Sequence, residues 1–212
     1  MRVLVACEES QAVTIELRKL GHEAYSCDIQ PCSGGHPEWH LQVDALEMLK
    51  LRWDMIIAHP PCTYLTAAGA VRLYNKDGTI KDAERFLRGG KAAEFFQAFL
   101  EADCPRIAVE NPVPLKRFGL PRYQQIIEPY HFGEPWKKRT CLWLKGIPPL
   151  MATELVEPRG LWVGSTSARR DPTIKQRYEL HPNRDQKRRS KTFPGIARAM
   201  AEQWAGKLEE GT

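Results

Sequence analysis

Asp54 to Gly69 reads DMIIAHPPCTYLTAAG, an apolar run that stops at two prolines and delivers a cysteine. Met55 to Ala58 shows no polar alternation, which predicts a strand buried on both faces and central in a parallel sheet. Proline cannot extend a strand ladder, so the chain must leave the sheet after His59. Pro60 and Pro61 then stiffen the backbone, and Cys62 is presented outward from the sheet edge. An arbitrary loop cysteine is a small hydrophobe. Here the prolines, together with an acid further on at Glu110, shift the reading to a nucleophile, which needs nearby positive charge or a helix N-terminus to ionise.

Working outward, short β-type runs alternate with helical ones. Arg2 to Ala6 (RVLVA) reads as a buried strand. Ser10 is a plausible N-cap for a helix carrying Val13, Ile15, Leu17 and Leu20, with Gly21 as its stop. HEAYSCD, ending at Asp28, is a second strand and VDALEMLKL a short helix. Asp82 to Ala102 is helical by pattern, with Gly89 and Gly90 expected to weaken or break it. RIAVE (Arg106 to Glu110) is the next strand, cut off by NPVP. PYHF and TCLWLKG read as a later β pair. PGIARAMAEQWAGKL closes the chain as an amphipathic helix with proline in its first turn. Strands alternating with helices predict an α/β fold, a Rossmann-like open, mostly parallel sheet flanked by helices, which binds ligands beyond the carboxyl ends of its strands. Asp28, Asp44, Pro60 to Cys62 and Glu110 to Pro112 all fall at those ends or in the connections after them. They are expected to converge on one edge.

The 212 residues suit a single domain with a sizeable core. No 18-residue apolar stretch is present, and MRVLVACEES reads as a strand, not a signal peptide. A cytoplasmic protein without membrane association, monomeric or homodimeric, is expected. The six cysteines are scattered without the dense spacing of a disulfide scaffold, so reduced thiols are expected. Between Arg169 and Lys191 nine basic residues stand against three acidic ones, a local +6 in a chain of net +5, which leaves the remainder near neutral. Such a cluster suits a phosphate backbone, or is a solvated loop. Arg169, Arg170, Lys187, Arg188, Arg189 and Lys191 are the candidate nucleic-acid contacts.

Three elements in order resemble the DNA cytosine carbon-5 methyltransferases. HPPCTYLTAAG resembles their Pro-Pro-Cys-Gln catalytic loop, VENP their Glu-Asn-Val element, and FGEPWKKRT their Gly-Val-Pro-Gln-x-Arg-x-Arg strand entry; FPGIARAMAEQWA resembles the closing element and helix. The resemblance implies methyl transfer from S-adenosylmethionine to carbon 5 of cytosine in DNA, with Cys62 adding to carbon 6 and Glu110 serving ring nitrogen 3. By direct spacing the family's glutamine and two arginines fall on Trp136, Lys138 and Thr140, and Arg139 is the candidate for the arginine beside the base. The cofactor positions implied are Cys7, Glu8 and Glu9 in the first loop, Asp28 and Ile29 after the second strand, Asp44 and Ala45, and Pro60. The first loop departs from the family, with ACEESQA in place of a Phe-Ala-Gly-x-Gly-Gly pattern. Its two glutamates either face the methionine ammonium or open a solvated helix. Residues 148–192 form a basic, loop-rich insertion of 45 residues, small for a target-recognition region.

Other readings stay open at this point. The same chemistry on RNA or on a free pyrimidine nucleotide is one, and a non-enzymatic nucleic-acid binder on a degenerate scaffold is another. A zinc site at Cys27, Cys32, His36 and His40 matches no standard ligand spacing, and no metal is expected.

Overall fold

The structure is a computed structural model that describes residues 1–162, 179–180 and 189–208. Its main sheet is built from β1 (Arg2–Ala6), β2 (Glu23–Cys27), β3 (His40–Leu41), β4 (Met55–Ala58), β5 (Ile107–Pro112), β6 (Gln125–Ile127) and β8 (Thr140–Lys145). The strand order is β3-β2-β1-β4-β5-β8-β6. The first five strands in that order run parallel and β8 is antiparallel to both its neighbours. This is the open, mostly parallel sheet expected from the alternating pattern. The unalternated MIIA lies in its middle, paired along its whole length with β1 and from Ile56 to Ala58 with β5, and buried on both faces. A small second sheet joins β7 (Trp136–Lys137), β9 (Gly160–Leu161) and β10 (Glu179–Leu180).

Alternate side chains of each strand feed two apolar layers. Val3, Val5, Met55 and Ile57 pack with α1 (Ala12–Lys19) and α5 (Pro194–Trp204), whereas Leu4, Ile56, Ile107 and Trp143 pack with α4 (Ala83–Glu101). Two four-residue helices, α2 (Ala45–Met48) and α3 (Ala70–Leu73), lie in the connections. Because the order reverses between β1 and β4, the connections leaving their carboxyl ends depart to opposite sides and open a crevice at that edge.

Several expectations are corrected by local packing. α4 runs unbroken through Gly89, where an added Cβ would overlap the Phe118 ring. The glycine is a seat for that aromatic, and burial there offsets the backbone entropy that glycine costs a helix. β5 continues through Asn111 to Pro112, because antiparallel pairing with β8 extends to Thr140. The segment containing Pro129 to His131 is a 3-10 turn, and the partners of TCLWLK are β5 and β6. Ser10 does not cap α1. Gln11 holds the N-cap position in a left-handed conformation, φ 58°, and Glu8 does the capping.

Candidate active site

The crevice between β1 and β4 is bordered by β5, and the residues singled out from sequence gather there in two groups. The first is built on the ends of β4 and β5. His59 still belongs to the ladder, its N–H donating to the Ala6 carbonyl at 2.9 Å. After the prolines the chain turns tightly, with the Cys62 carbonyl accepting from the N–H groups of Leu65 and Thr66 at 3.1 and 3.2 Å. Buried Asn111 donates from Nδ2 to the Pro60 carbonyl at 2.7 Å. Two backbone bonds, Ala67 to Val113 and Leu115 to Leu65, stitch the far side of the loop to the segment after β5. The half-buried cysteine is therefore positioned from both sides.

Glu110 accepts from, or shares a proton with, His59: Nδ1 lies 3.2 Å from Oε2 and both side chains are largely buried. A small, solvent-open recess is lined by Glu110, Lys138, Thr140, Thr192, Phe193 and Ile196. Lys138 reaches it because its N–H is held by Glu128 Oε2 at 2.7 Å and its Nζ sits 5.8 Å from the Phe193 ring centre. Burial pushes the Cys62 thiol up and the nearby Glu110 charge adds to this, while Lys138 and Arg189 pull it back in part. For Glu110, burial would raise the carboxyl, but the hydrogen bond and charge of His59, with Lys138 and Thr140, outweigh it and hold the group below the usual carboxylate range. The resting pair is a thiol and a carboxylate.

The pocket wall depends on how α5 begins. Glu134 Oε1 accepts from the Gly195 N–H at 2.8 Å, and an added Cβ at Gly195 would overlap the Phe132 carbonyl oxygen. Gly195→Ala is expected to destabilise the fold by about 1–3 kcal/mol, the range for overpacking against unyielding neighbours. The midpoint of urea unfolding measures it.

The second group lies at the ends of β1 and β2. Glu8 is almost fully buried; its carboxylate accepts from the Val13 N–H at 2.7 Å, and from the Thr14 N–H and hydroxyl at 3.3 and 2.8 Å. Burial raises its pKa, opposed by His59 and by those bonds. It therefore closes the amino end of α1. Glu8→Ala would strand three donors, and a loss of roughly 2–3 kcal/mol is expected. Glu8→Gln keeps one acceptor oxygen and is expected to lose less; the melting temperatures of the two variants order them.

Beside Glu8, Cys7 also adopts a left-handed conformation, φ 58°. Backbone shapes that favour glycine thus persist in a loop that contains none. The Cys7 thiol is pushed up, first by burial and then by the charges of Asp28 and Asp44 and by Cys27. Asp28 Oδ1 accepts from the Gln30 N–H at 2.9 Å, while Asp44 Oδ1 caps α2 through the Leu46 N–H at 3.0 Å. Ile29 is 73% exposed beside Asp28, whereas Ala45 and Pro60 are buried. Glu9 contributes its carbonyl, which accepts from the Ser33 N–H at 2.7 Å.

The remaining candidates are distributed differently. Arg139 is exposed, while its neighbours Lys138 and Thr140 line the pocket. Arg189 is half-buried with its charge felt at Cys62, and Lys191 Nζ bonds Ser33 Oγ at 3.2 Å. Arg169, Arg170, Lys187 and Arg188 lie outside the described residues. Cys27, Cys32, His36 and His40 do not assemble: His40 Nδ1 bonds Ser26 Oγ at 2.8 Å and His36 stacks on Trp39. Among the described residues no group of three or more potential metal ligands forms, and no helix is long and apolar enough to cross a membrane. The sequence alone does not mark His59, Lys138 and Thr140 as site residues, although direct spacing sets Lys138 and Thr140 two residues apart, as one face of an extended segment requires.

No protein-family model matches the chain, and no curated protein matches it. Solved structures that resemble it include a protein assigned as a DNA modification methyltransferase encoded within an E. coli prophage, at 15% identity and TM-score 0.46, covering 73% of this chain and 51% of that one. The S. pombe Dnmt2 methyltransferase is 13% identical, with TM-score 0.39 over 70% of this chain and 51% of its own. A mutant of Spodoptera frugiperda DNMT2 is 15% identical, with TM-score 0.38 over 73% and 54%. The chain spans about half the length of each of these proteins, and likeness at this level says nothing of activity.

Proposed function

We propose that the chain is a methyltransferase that moves a methyl group from S-adenosylmethionine to carbon 5 of cytosine in DNA through a covalent Cys62 adduct. The observation that carries this reading is the Asn111 tie. A single hydrogen bond of 2.7 Å joins the loop that presents the thiol to the strand that presents Glu110, so nucleophile and acid are fixed as a unit at the switch point of the sheet. The donor set beside it fits a nucleoside. In this reading Asp28 takes vicinal hydroxyls, exposed Ile29 the face of a base and Asp44 an exocyclic amine, with Ala45, Pro60, Cys7 and Glu9 completing the cofactor positions, while buried Glu8 supports them by capping α1. S-adenosylmethionine, when bound there, supplies an electrophilic methyl group.

This chain's own residues do the rest. The Cys62 thiolate adds to carbon 6 of the cytosine, and the ring becomes nucleophilic at carbon 5. Glu110, as the acid, passes a proton to ring nitrogen 3 and so disperses the charge that addition creates. Loss of the carbon 5 proton to solvent, with the proton on ring nitrogen 3 returned to Glu110, later expels the thiolate and restores the ring. Lys138 lines the recess with Glu110, and in this reading exposed Arg139 next to it in the chain meets the base from outside. Arg169, Arg170, Lys187, Arg188, Arg189 and Lys191 hold phosphates, in a region 148–192 too small to read many bases.

Covalent trapping tests the reading. The protein and its Cys62→Ala variant are incubated with S-adenosylmethionine and DNA carrying 5-fluorocytosine in varied sequence contexts. A denaturation-resistant adduct formed by the unmutated chain alone is expected. Adduct with RNA in place of DNA would change the substrate class, and no adduct with either would overturn the mechanism.

A further inference from the structure

The resting protonation at Cys62 and Glu110 is the reverse of what thiolate addition requires: the proton sits on sulfur and the carboxyl is bare. Something must load Glu110. His59 is placed to do so, since its Nδ1 lies 3.2 Å from Oε2 at the end of the very strand that delivers the cysteine. Its Nε2 is buried and bonds nothing among the described residues, so the imidazole is fixed by its Glu110 side. The charged groups facing this pair are Glu8 from the β1 end, Lys138 from before β8, and Cys62 from its own loop.

We infer that His59 is a positioning residue that aims Glu110 through the Nδ1–Oε2 contact and hands it a proton across that contact when a base reaches the site. This rests on the function proposed above. The transfer is balanced within the pair: from the ring in its doubly protonated form the Nδ1–H bond breaks, an O–H bond forms at Oε2, the ring returns to its neutral form and the carboxylate becomes a carboxyl. Neutralising Glu110 also removes the carboxylate charge that bears directly on the thiol, whereas no His59 charge bears on it, so Cys62 then gives its proton to solvent more readily. Loading the acid and releasing the nucleophile become one event.

His59→Asn separates the two duties, because its amide keeps an N–H toward Oε2 but cannot carry the proton. The first readout needs no substrate. Titration of the Glu110 carboxyl by carbon-13 NMR, assigned with Glu110→Gln, is expected to show at least about tenfold higher proton affinity in His59→Asn than in the unmutated chain, since burial is then less opposed. The second is the pH profile of trapping. An adduct rate lowered about 10²-fold is expected, with the alkaline limb displaced and the apparent affinity for DNA within about threefold, the signature of lost proton delivery. A Glu110 titration unchanged in His59→Asn overturns the inference, as does an unchanged pH profile. If the unmutated chain forms no adduct, the proposed function fails, while the carboxyl titration still decides whether His59 governs Glu110.

Discussion

Cys62→Ala is expected to abolish turnover, by on the order of 10⁴-fold or more, while costing the fold about 1 kcal/mol or less. The size of the first effect follows from chemistry, because a covalent nucleophile has no understudy and its removal leaves only binding and the neighbouring acid. The smallness of the second follows from placement. The two hydrogen bonds at this residue, from the Leu65 and Thr66 N–H groups, are made to its backbone carbonyl and survive the substitution. What is lost is one half-buried sulfur, comparable to a methylene of burial. Because the thiol is neutral at rest, no charge is stranded by its removal. The control is Cys141→Ala, where a fully buried side chain on β8 is truncated and a clear loss of stability without a direct chemical effect is expected. Unfolding midpoints and trapping yields of the two variants, measured side by side, distinguish a nucleophile from a packing residue. Unfolding of Cys62→Ala would make it the latter.

The central strand and the thiol after it were legible in sequence because two independent rules agree there: unalternated apolar residues demand burial on both faces, and paired prolines demand an exit. Asp28 is legible as a strand-end acid and Asp44 as an acid of the connection before α2, whereas Glu110, read as a strand end, lies two residues inside β5. The failures share a physical cause, which is that a distant segment supplies what local pattern lacks. Gly89 reads as a helix breaker until Phe118 fills the space that a side chain would take. Ser10 reads as a cap until buried Glu8 reaches over it to the Val13 and Thr14 N–H groups. PYHF reads as a strand, yet the partner edge of β8 is taken by Gln125 to Ile127. His59 looks like the last residue of a strand, and only the register of β4 against β5 brings its ring to Glu110. Lys138 is recoverable from spacing, whereas Arg139, favoured by its chemistry, is exposed in the link between β7 and β8.

Asn111→Ala is expected to lose about 2–4 kcal/mol of stability and about 10²-fold in adduct formation, and the two losses have separate origins. Stability falls because the side chain is 1% exposed and its amide satisfies the Pro60 carbonyl; truncation leaves both a cavity and a stranded acceptor. Activity falls because the near side of the cysteine loop has lost its tie, while the stitches at Ala67 and Leu115 still hold the far side. The loop then pivots about its far end, and misplacing a nucleophile by about 1 Å is enough for a loss of that size. Intrinsic reactivity runs the other way. A thiol moved away from Glu110 and toward water is freed from both influences that raise it, so alkylation of Cys62 by iodoacetamide should quicken as adduct formation slows. Mass spectrometry of the Cys62 peptide reads the first rate and trapping reads the second. Parallel loss of both would mean that the tie merely supports the fold, whereas their divergence means that the Pro60–Asn111 bond converts an ordinary loop thiol into one aimed at a base.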